Sequence, residues 1–413
     1  MTSASSSRTG EWRGGSALLA WIIALSISGY PLVGVVVTFL GGGSAALSYP
    51  FRAAVIILAG MGVAELLRQR LTFRPDIAII LFWWAYLIRL VFDLGNPAFD
   101  NTAADLTFFV ATVLIPATAV MILASRFDEL KLAKLLFYLG VVVSFGSLYY
   151  FLTGRVDAEF LESQESRLQL AVLNPISLAH VAVTGLISAL VLWRHYQILP
   201  GGKIALLGGT AICLIALFLS GSRGPLVAAA AVLIGYSVVR GRVGQLFAAA
   251  VAAAVVLQGL VTSHGLLMID RLKNTFLDAS SQERLTYQAA AIDQALANPV
   301  FGSAYVELIS RQYPHNLVIE SAIALGLGGL ALFVFLCGRG TVQAVRRLRQ
   351  GEVLLPLIYI QYLVAAQLSA SLWGSASFWI AIVLVAVAPN TGARTRSLLM
   401  GQRNEAIRLD LRA

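Results

Sequence analysis

The sequence predicts an all-α, polytopic integral membrane protein, and three observations predict it. Apolar residues make up 58% of the chain and charged residues only 12%, a balance with positive mean hydropathy that leaves no room for a large soluble domain. Apolar runs long enough to cross roughly 30 Å of hydrocarbon as helices recur from end to end. No alternating, roughly ten-residue pattern suggests a barrel, so helices are the expected spanning element.

Apolar length and polar punctuation mark about twelve transmembrane helices. They fall near residues 16–40, 50–67, 77–95, 104–125, 131–152 and 175–194, then 203–219, 224–239, 245–262, 316–338, 353–371 and 375–390. The first contains Tyr30-Pro31, where it could break, and the last two are joined by a short turn at Trp373 to Ser377. The chain therefore divides into a cytoplasmic N-terminal segment (1–15), helices one to nine (16–262), a large external loop (263–315), helices ten to twelve (316–390) and a basic cytoplasmic tail (391–413). The first segment is polar and Ser-rich; the apolar stretch after it is too long for a signal-peptide core and has no small-x-small cleavage site before Tyr30, so it reads as an uncleaved anchor.

Charge checks this count. With the N-terminus inside, the cytoplasmic segments receive Arg8, Arg13, Arg68, Arg70, Arg74, Arg126, Lys131, Lys134, Arg194, Lys203, Arg240 and Arg242. Later ones receive Arg339, Arg346, Arg347, Arg349, Arg394, Arg396, Arg403, Arg408 and Arg412, so that most of the 30 basic residues lie inside. The bias supports an even number of spans with both termini cytoplasmic. The net charge of +9 then reads as topology and attraction to membrane lipids, not as binding of nucleic acid. Cys213 and Cys337 both fall inside apolar runs, so neither a disulfide framework nor a metal cluster is indicated. No repeat of fixed period is visible, which weighs against a secondary transporter built from inverted repeats.

The long external loop has internal organisation. Ser280 and Glu283 have capping-box spacing, and Leu285, Ala289, Ile292 and Leu296 repeat at helical intervals until Asn298-Pro299. An amphipathic helix over Ser281 to Ala297 is expected, with Arg284 in its first turn, where the helix dipole does not favour a cation unless an anion sits nearby.

The candidate site residues are cations and an imidazole placed outside, against the usual bias. Arg223 lies in Ser220-Gly221-Ser222-Arg223-Gly224-Pro225, a turn that opens the eighth span. Its glycines allow close backbone approach, Pro225 suits a first helical turn, and guanidinium with helix-start amides suits a phosphate. An arginine snorkelling from a tight hairpin explains it equally well. His315 follows Tyr313-Pro314 and precedes Asn316 where the tenth span begins; an imidazole can accept a proton from a hydroxyl at neutral pH. Arg311 is a secondary candidate that reads more simply as solvated. Arg89 and Asp93, one helical turn apart in the third span, are a secondary pair that reads equally as functional or as mutual compensation. His180 and His264 read as satisfied polar groups, while Glu320 and Gln361 are placed where they would line a cavity.

These residues resemble the O-antigen ligase and polymerase family of bacterial membrane glycosyltransferases. The resemblance rests on Gly221-Ser222-Arg223-Gly224, on Ser281-x-x-Arg284 with the helix ending in Asn298-Pro299-Val300-Phe301-Gly302, and on Pro314-His315-Asn316 followed by Gly326, Gly328 and Gly329. It covers roughly residues 205–340. Tyr287 stands where the family often has tryptophan, and Ser303-Ala304 where it often has a second glycine. The resemblance implies periplasmic transfer of a saccharide from undecaprenyl diphosphate to an acceptor hydroxyl, with no cofactor, metal or nucleotide sugar. The acceptor would be the lipid A core in a ligase, the slightly favoured branch, or a second lipid-linked saccharide in a polymerase. Arg223 and Arg284 would hold the diphosphate, with His315 orienting or deprotonating the acceptor.

Overall fold

The computed structural model describes residues 8–40, 44–69, 75–96, 99–153, 170, 173–241 and 279–389. The expected ninth span at 245–262, His264, most of the 153–174 loop and the basic tail lie outside the described residues. Within them the chain is helical: α1 (Arg8–Leu40), α2 (Ser44–Gln69), α3 (Ile77–Asp93), α4 (Thr102–Arg126), α5 (Glu129–Leu152), α6 (Pro175–Leu192), α7 (Gly202–Leu219), α8 (Arg223–Val239), α9 (Ala279–Ala297), α10 (Leu317–Gln350), α11 (Leu354–Ala366) and α12 (Ala376–Val387).

The expected count of about twelve membrane spans is corrected. Among the described residues 6 helices are long and apolar enough to cross a membrane: Gly15–Leu40, Thr102–Arg126, Glu129–Leu152, Pro175–Ile198, Gly202–Leu219 and Leu317–Gln350. The difference has local causes. Apolar runs do not stay helical to their ends: the run expected at 353–371 leaves the helix after Ala366, and α12 has only 12 residues. α8 stops at 17 residues, and α3, also 17 residues, ends in Arg89 and Asp93. α2 runs as one continuous helix with Arg52, Glu65 and Arg68 within it. Pro31, the suspected break, sits within continuous helix.

Small residues and polar cross-links hold the bundle. A Cβ on Gly140 of α5 would press on the backbone of Gly185 in α6, so these helices meet at backbone distance. Gln361 of α11 is fully buried, donating to the His180 carbonyl at 2.8 Å and accepting from Thr184 at 3.1 Å. Its expected place on a cavity wall is thus corrected: its amide ties α11 to α6. Glu320 is buried as well, accepting from Tyr86 Oη at 2.9 Å and from the Leu372 amide. Phe82, Trp83, Phe333, Phe378 and Trp379 form an aromatic core between α3, α10 and α12 with ring centroids 5.2–6.3 Å apart.

Hydrogen bonds fix which helix ends lie together. Glu129 at the start of α5 accepts from the amides of Val353 and Leu354, Lys134 donates to the Ile198 carbonyl, and Arg240 to the Gly351 carbonyl. Arg339 pairs with Asp76 at the start of α3. One end of the bundle therefore collects Lys131, Lys134, Arg240 and the Arg346–Arg349 run. The opposite end carries the starts of α8 and α10, the end of α11, and α9.

Candidate active site

The site end is organised by a break in α10. Gly326 has φ +65°, and a Cβ there would fall on the Val300 carbonyl. Gly302 has φ +69°, and a Cβ there would fall on the Ile323 carbonyl, so both positions require glycine on conformational and steric grounds. In an unbroken helix the Leu327 amide would donate to the Ile323 carbonyl. Here Leu327 N donates to the Pro299 carbonyl at 2.7 Å and Ile323 O accepts from Ser303 N at 2.7 Å. The kink thus exchanges one helical hydrogen bond for three, the Ala304 amide also donating to the Ile323 carbonyl at 3.3 Å, that staple the segment after α9 onto α10.

Further bonds complete the staple. Gln294 on α9, 7% exposed, donates to Ser303 Oγ and the Val306 carbonyl and accepts from the Leu308 amide. Arg89 donates to the Ser303 carbonyl at 3.0 Å and pairs with Asp93 at 3.4 Å, while Asp93 also accepts from Tyr305 N at 2.9 Å. Arg89 and Asp93 therefore clamp this loop. Arg311 is exposed with φ +57°, its amide donating to the Glu307 carbonyl at 2.9 Å.

α9 begins at Ala279, so Ser280 lies inside the helix instead of capping it, and Arg284 falls in the second turn. Glu283 accepts a hydrogen bond from Tyr287 one turn on. The expected apolar stripe faces outward: Leu285, Ile292 and Leu296 are 50%, 46% and 73% exposed, whereas Ala291 and Gln294 are buried. The inward face also carries Arg284, whose Nη1 donates to the Leu368 carbonyl at 3.0 Å.

That carbonyl belongs to the non-helical stretch after α11, and other candidate segments meet it there. The Cβ position of Gly224, next to Arg223 at the start of α8, lies 3.9 Å from Leu368. Asn316 caps α10 by accepting from the amides of Val318 and Ile319, and its Nδ2 donates to the Gln367 carbonyl at 3.4 Å. His315 precedes it with φ +56°, a left-handed conformation uncommon for a side chain other than glycine. The structure thus brings Arg284 and the segment bearing His315 to the carbonyls of residues 368 and 367, and the start of α8 bearing Arg223 against the Leu368 side chain.

The electrostatics of His315 follow from this placement. Burial first, and then the nearby Arg284 charge, lower its pKa to about 4 against the opposing pull of Glu283. Its Nδ1 is buried and has no hydrogen-bond partner among the described residues. Its ring packs on Tyr313 with centroids 4.3 Å apart, and Tyr313 meets Trp373 edge-on at 6.1 Å. Behind Tyr313 a cavity of about 520 Å³ opens between α1, α2, α4, α6 and the 365–378 segment. Residues 365, 366, 369 and 370 line it while the carbonyls of 367 and 368 serve Asn316 and Arg284, so one short stretch is a wall shared by cavity and cation site.

Sequence reasoning passed over Tyr313, Trp373 and Arg52, all on the cavity wall. Arg52 had a usable signal, since an arginine within an apolar helix is expensive and the same rule had singled out Arg89. The 367–368 carbonyls had none.

No curated protein matches the chain. The O-antigen ligase family model matches residues 208–334, a stretch that contains Arg223, Arg284 and His315. Over residues 208–334, then, this polytopic membrane protein is similar to the O-antigen ligase family.

Proposed function

We propose that the protein transfers a saccharide from undecaprenyl diphosphate to an acceptor hydroxyl on the periplasmic face of the inner membrane, with the lipid A core as the favoured acceptor. The observation that carries this reading is the meeting of the Arg223, Arg284 and His315 turns at residues 367 and 368, inside the matched domain. The orientation draws support from charge: Lys131, Lys134, Arg240 and the Arg346–Arg349 run gather at the opposite end of the bundle, as positive residues do on the cytoplasmic side.

Arg223 and Arg284, with the positive end of the α8 dipole, hold the diphosphate and stabilise the charge that grows on it as its bond to the anomeric carbon breaks. His315 stays neutral at pH 7 because its pKa lies near 4, so it can accept the acceptor proton while the hydroxyl oxygen attacks the opposite face of the anomeric carbon. The products are an inverted glycoside, the carrier diphosphate and a protonated imidazole. Incubating purified protein with lipid-linked saccharide and lipid A core tests the reading. Glycosylated core is expected from the wild type and none from Arg223→Ala or Arg284→Ala; full activity in both variants overturns it.

A further inference from the structure

The outward stripe of α9, formed by Leu285, Ile292 and Leu296, runs on into the turn after the helix, where Val300 is exposed and Phe301 is 81% exposed. Contiguous apolar groups of this size mark a surface that is covered by a partner or by lipid. The turn is held against α10, since Leu327 N donates to the Pro299 carbonyl, and the Leu327 side chain is itself exposed. α10 is among the helices long and apolar enough to cross a membrane, and Leu327, Val334 and Val342 lie on one exposed face of it at helical spacing. The apolar surface of the turn therefore continues the face that α10 presents to lipid. Depth favours lipid over water as well. Arg339, paired with Asp76, marks the polar boundary at the far end of the bundle, and Gly326, where the turn is stapled, precedes it by 13 residues. That is about 20 Å of helix, less than the roughly 30 Å of hydrocarbon that α10 must cross. Arg284, at the other end of α9, meets Leu368 beside the Asn316 cap, 10 residues before Gly326. It therefore stands about 15 Å further out, at the level of the headgroups.

We propose that the end of α9 and the turn after it form a lipid-contact surface, with Leu296, Val300 and Phe301 in the hydrocarbon of the leaflet at the site end and Leu285 at its headgroup layer. α9 then climbs obliquely out of the bilayer, its apolar stripe toward lipid and its Arg284 face toward the bundle. The lipid contact stands independently of the transfer reading. Its consequence for that reading, which does rest on it, is that Arg284 is held at the depth where a lipid-borne diphosphate lies.

The test places a nitroxide on the full-length chain at Phe301→Cys, Leu296→Cys or Leu285→Cys, one at a time, with Cys213→Ala and Cys337→Ala removing the native thiols. Each labelled protein is put in nanodiscs of phosphatidylcholine and phosphatidylglycerol. Electron paramagnetic resonance then reads collision with oxygen, which concentrates in hydrocarbon, and with a water-soluble nickel chelate. The oxygen-to-nickel ratio at 301 and 296 is expected to exceed that at 285 by about tenfold or more, since a polar complex is excluded from hydrocarbon. Leu296→Cys reads the same surface if Phe301→Cys fails to fold. Free access of the chelate to 301 and 296 overturns the proposal by placing the turn in water. Exclusion of both reagents overturns it too: spin–spin broadening with that exclusion assigns the surface to a second copy of the chain, and its absence to cover by another segment of the same chain. The transfer reading fails separately, through full activity of Arg223→Ala and Arg284→Ala.

Discussion

Two charged groups sit at the same end of the bundle and are built on opposite principles. The Arg89–Asp93 pair is closed on itself: the guanidinium donates to Asp93 and the Ser303 carbonyl, and the second Asp93 oxygen takes the Tyr305 amide. The His315 region is left open, with a left-handed backbone, a buried Nδ1 that has no hydrogen-bond partner among the described residues and an imidazole held neutral beside a cation. A closed network rigidifies a loop, whereas strain and an unmatched polar atom persist where the surrounding fold imposes them and chemistry uses them. Proximity alone therefore does not make an arginine functional.

The strongest way to break this comparison is to remove each set and read activity against stability. Arg284→Ala and Arg223→Ala are each expected to lower transfer by about 10²–10³-fold or more with little change in thermal midpoint, measured as product from lipid-linked saccharide. Next come the glycines of the staple. Gly326→Ala and Gly302→Ala place a Cβ against backbone carbonyls at positive φ and are expected to destabilise the fold by about 3 kcal/mol or more, seen as a lower thermal midpoint and poor yield of folded protein. Arg89→Ala leaves Asp93 without its cation and should cost about 1–3 kcal/mol, with transfer falling only as far as loss of loop order dictates. An activity loss in Arg89→Ala as deep as in Arg284→Ala, at unchanged stability, would erase the distinction between the two groups.

The finest test is titration. His315 in the folded protein should titrate near 4, so transfer is expected to be insensitive to this group from pH 8 down to about 5 and to fall below that, as read from a pH–rate profile. Because the folded pKa lies below the unfolded value of 6.5, the unfolded chain binds the proton first, and this group's contribution lowers stability as pH falls through that window. Arg284→Gln removes the second cause of the shift. Histidine NMR should then show His315 titrating higher, but still below 6.5 because burial, the larger cause, remains.

The helical class, the apolar runs and the placement of a helix ending at Ala297 were legible because each depends on residues close together in the chain. Arg223, Arg284 and His315 stood out for the same reason: each sits in a short motif at the edge of an apolar run. Their convergence was not legible. It passes through the main-chain carbonyls of Gln367 and Leu368, which every residue has, and through the Leu368 side chain lying against the Gly224 position. Arg89 carried the same local signal as Arg223 and Arg284, and only its hydrogen bond to the Ser303 carbonyl, 214 residues away in sequence, ties it to the loop after α9.

By itself the sequence determined that the chain is a helical membrane protein and which residues are candidates for its polar chemistry, since composition, apolar length and short motifs are local properties. Tertiary structure decided that α9 turns its apolar stripe outward and that a cavity opens behind Tyr313. Those outcomes depend on hydrogen bonds exchanged between distant segments, such as Leu327 with Pro299 and Arg284 with Leu368, and local pattern holds no record of such pairings.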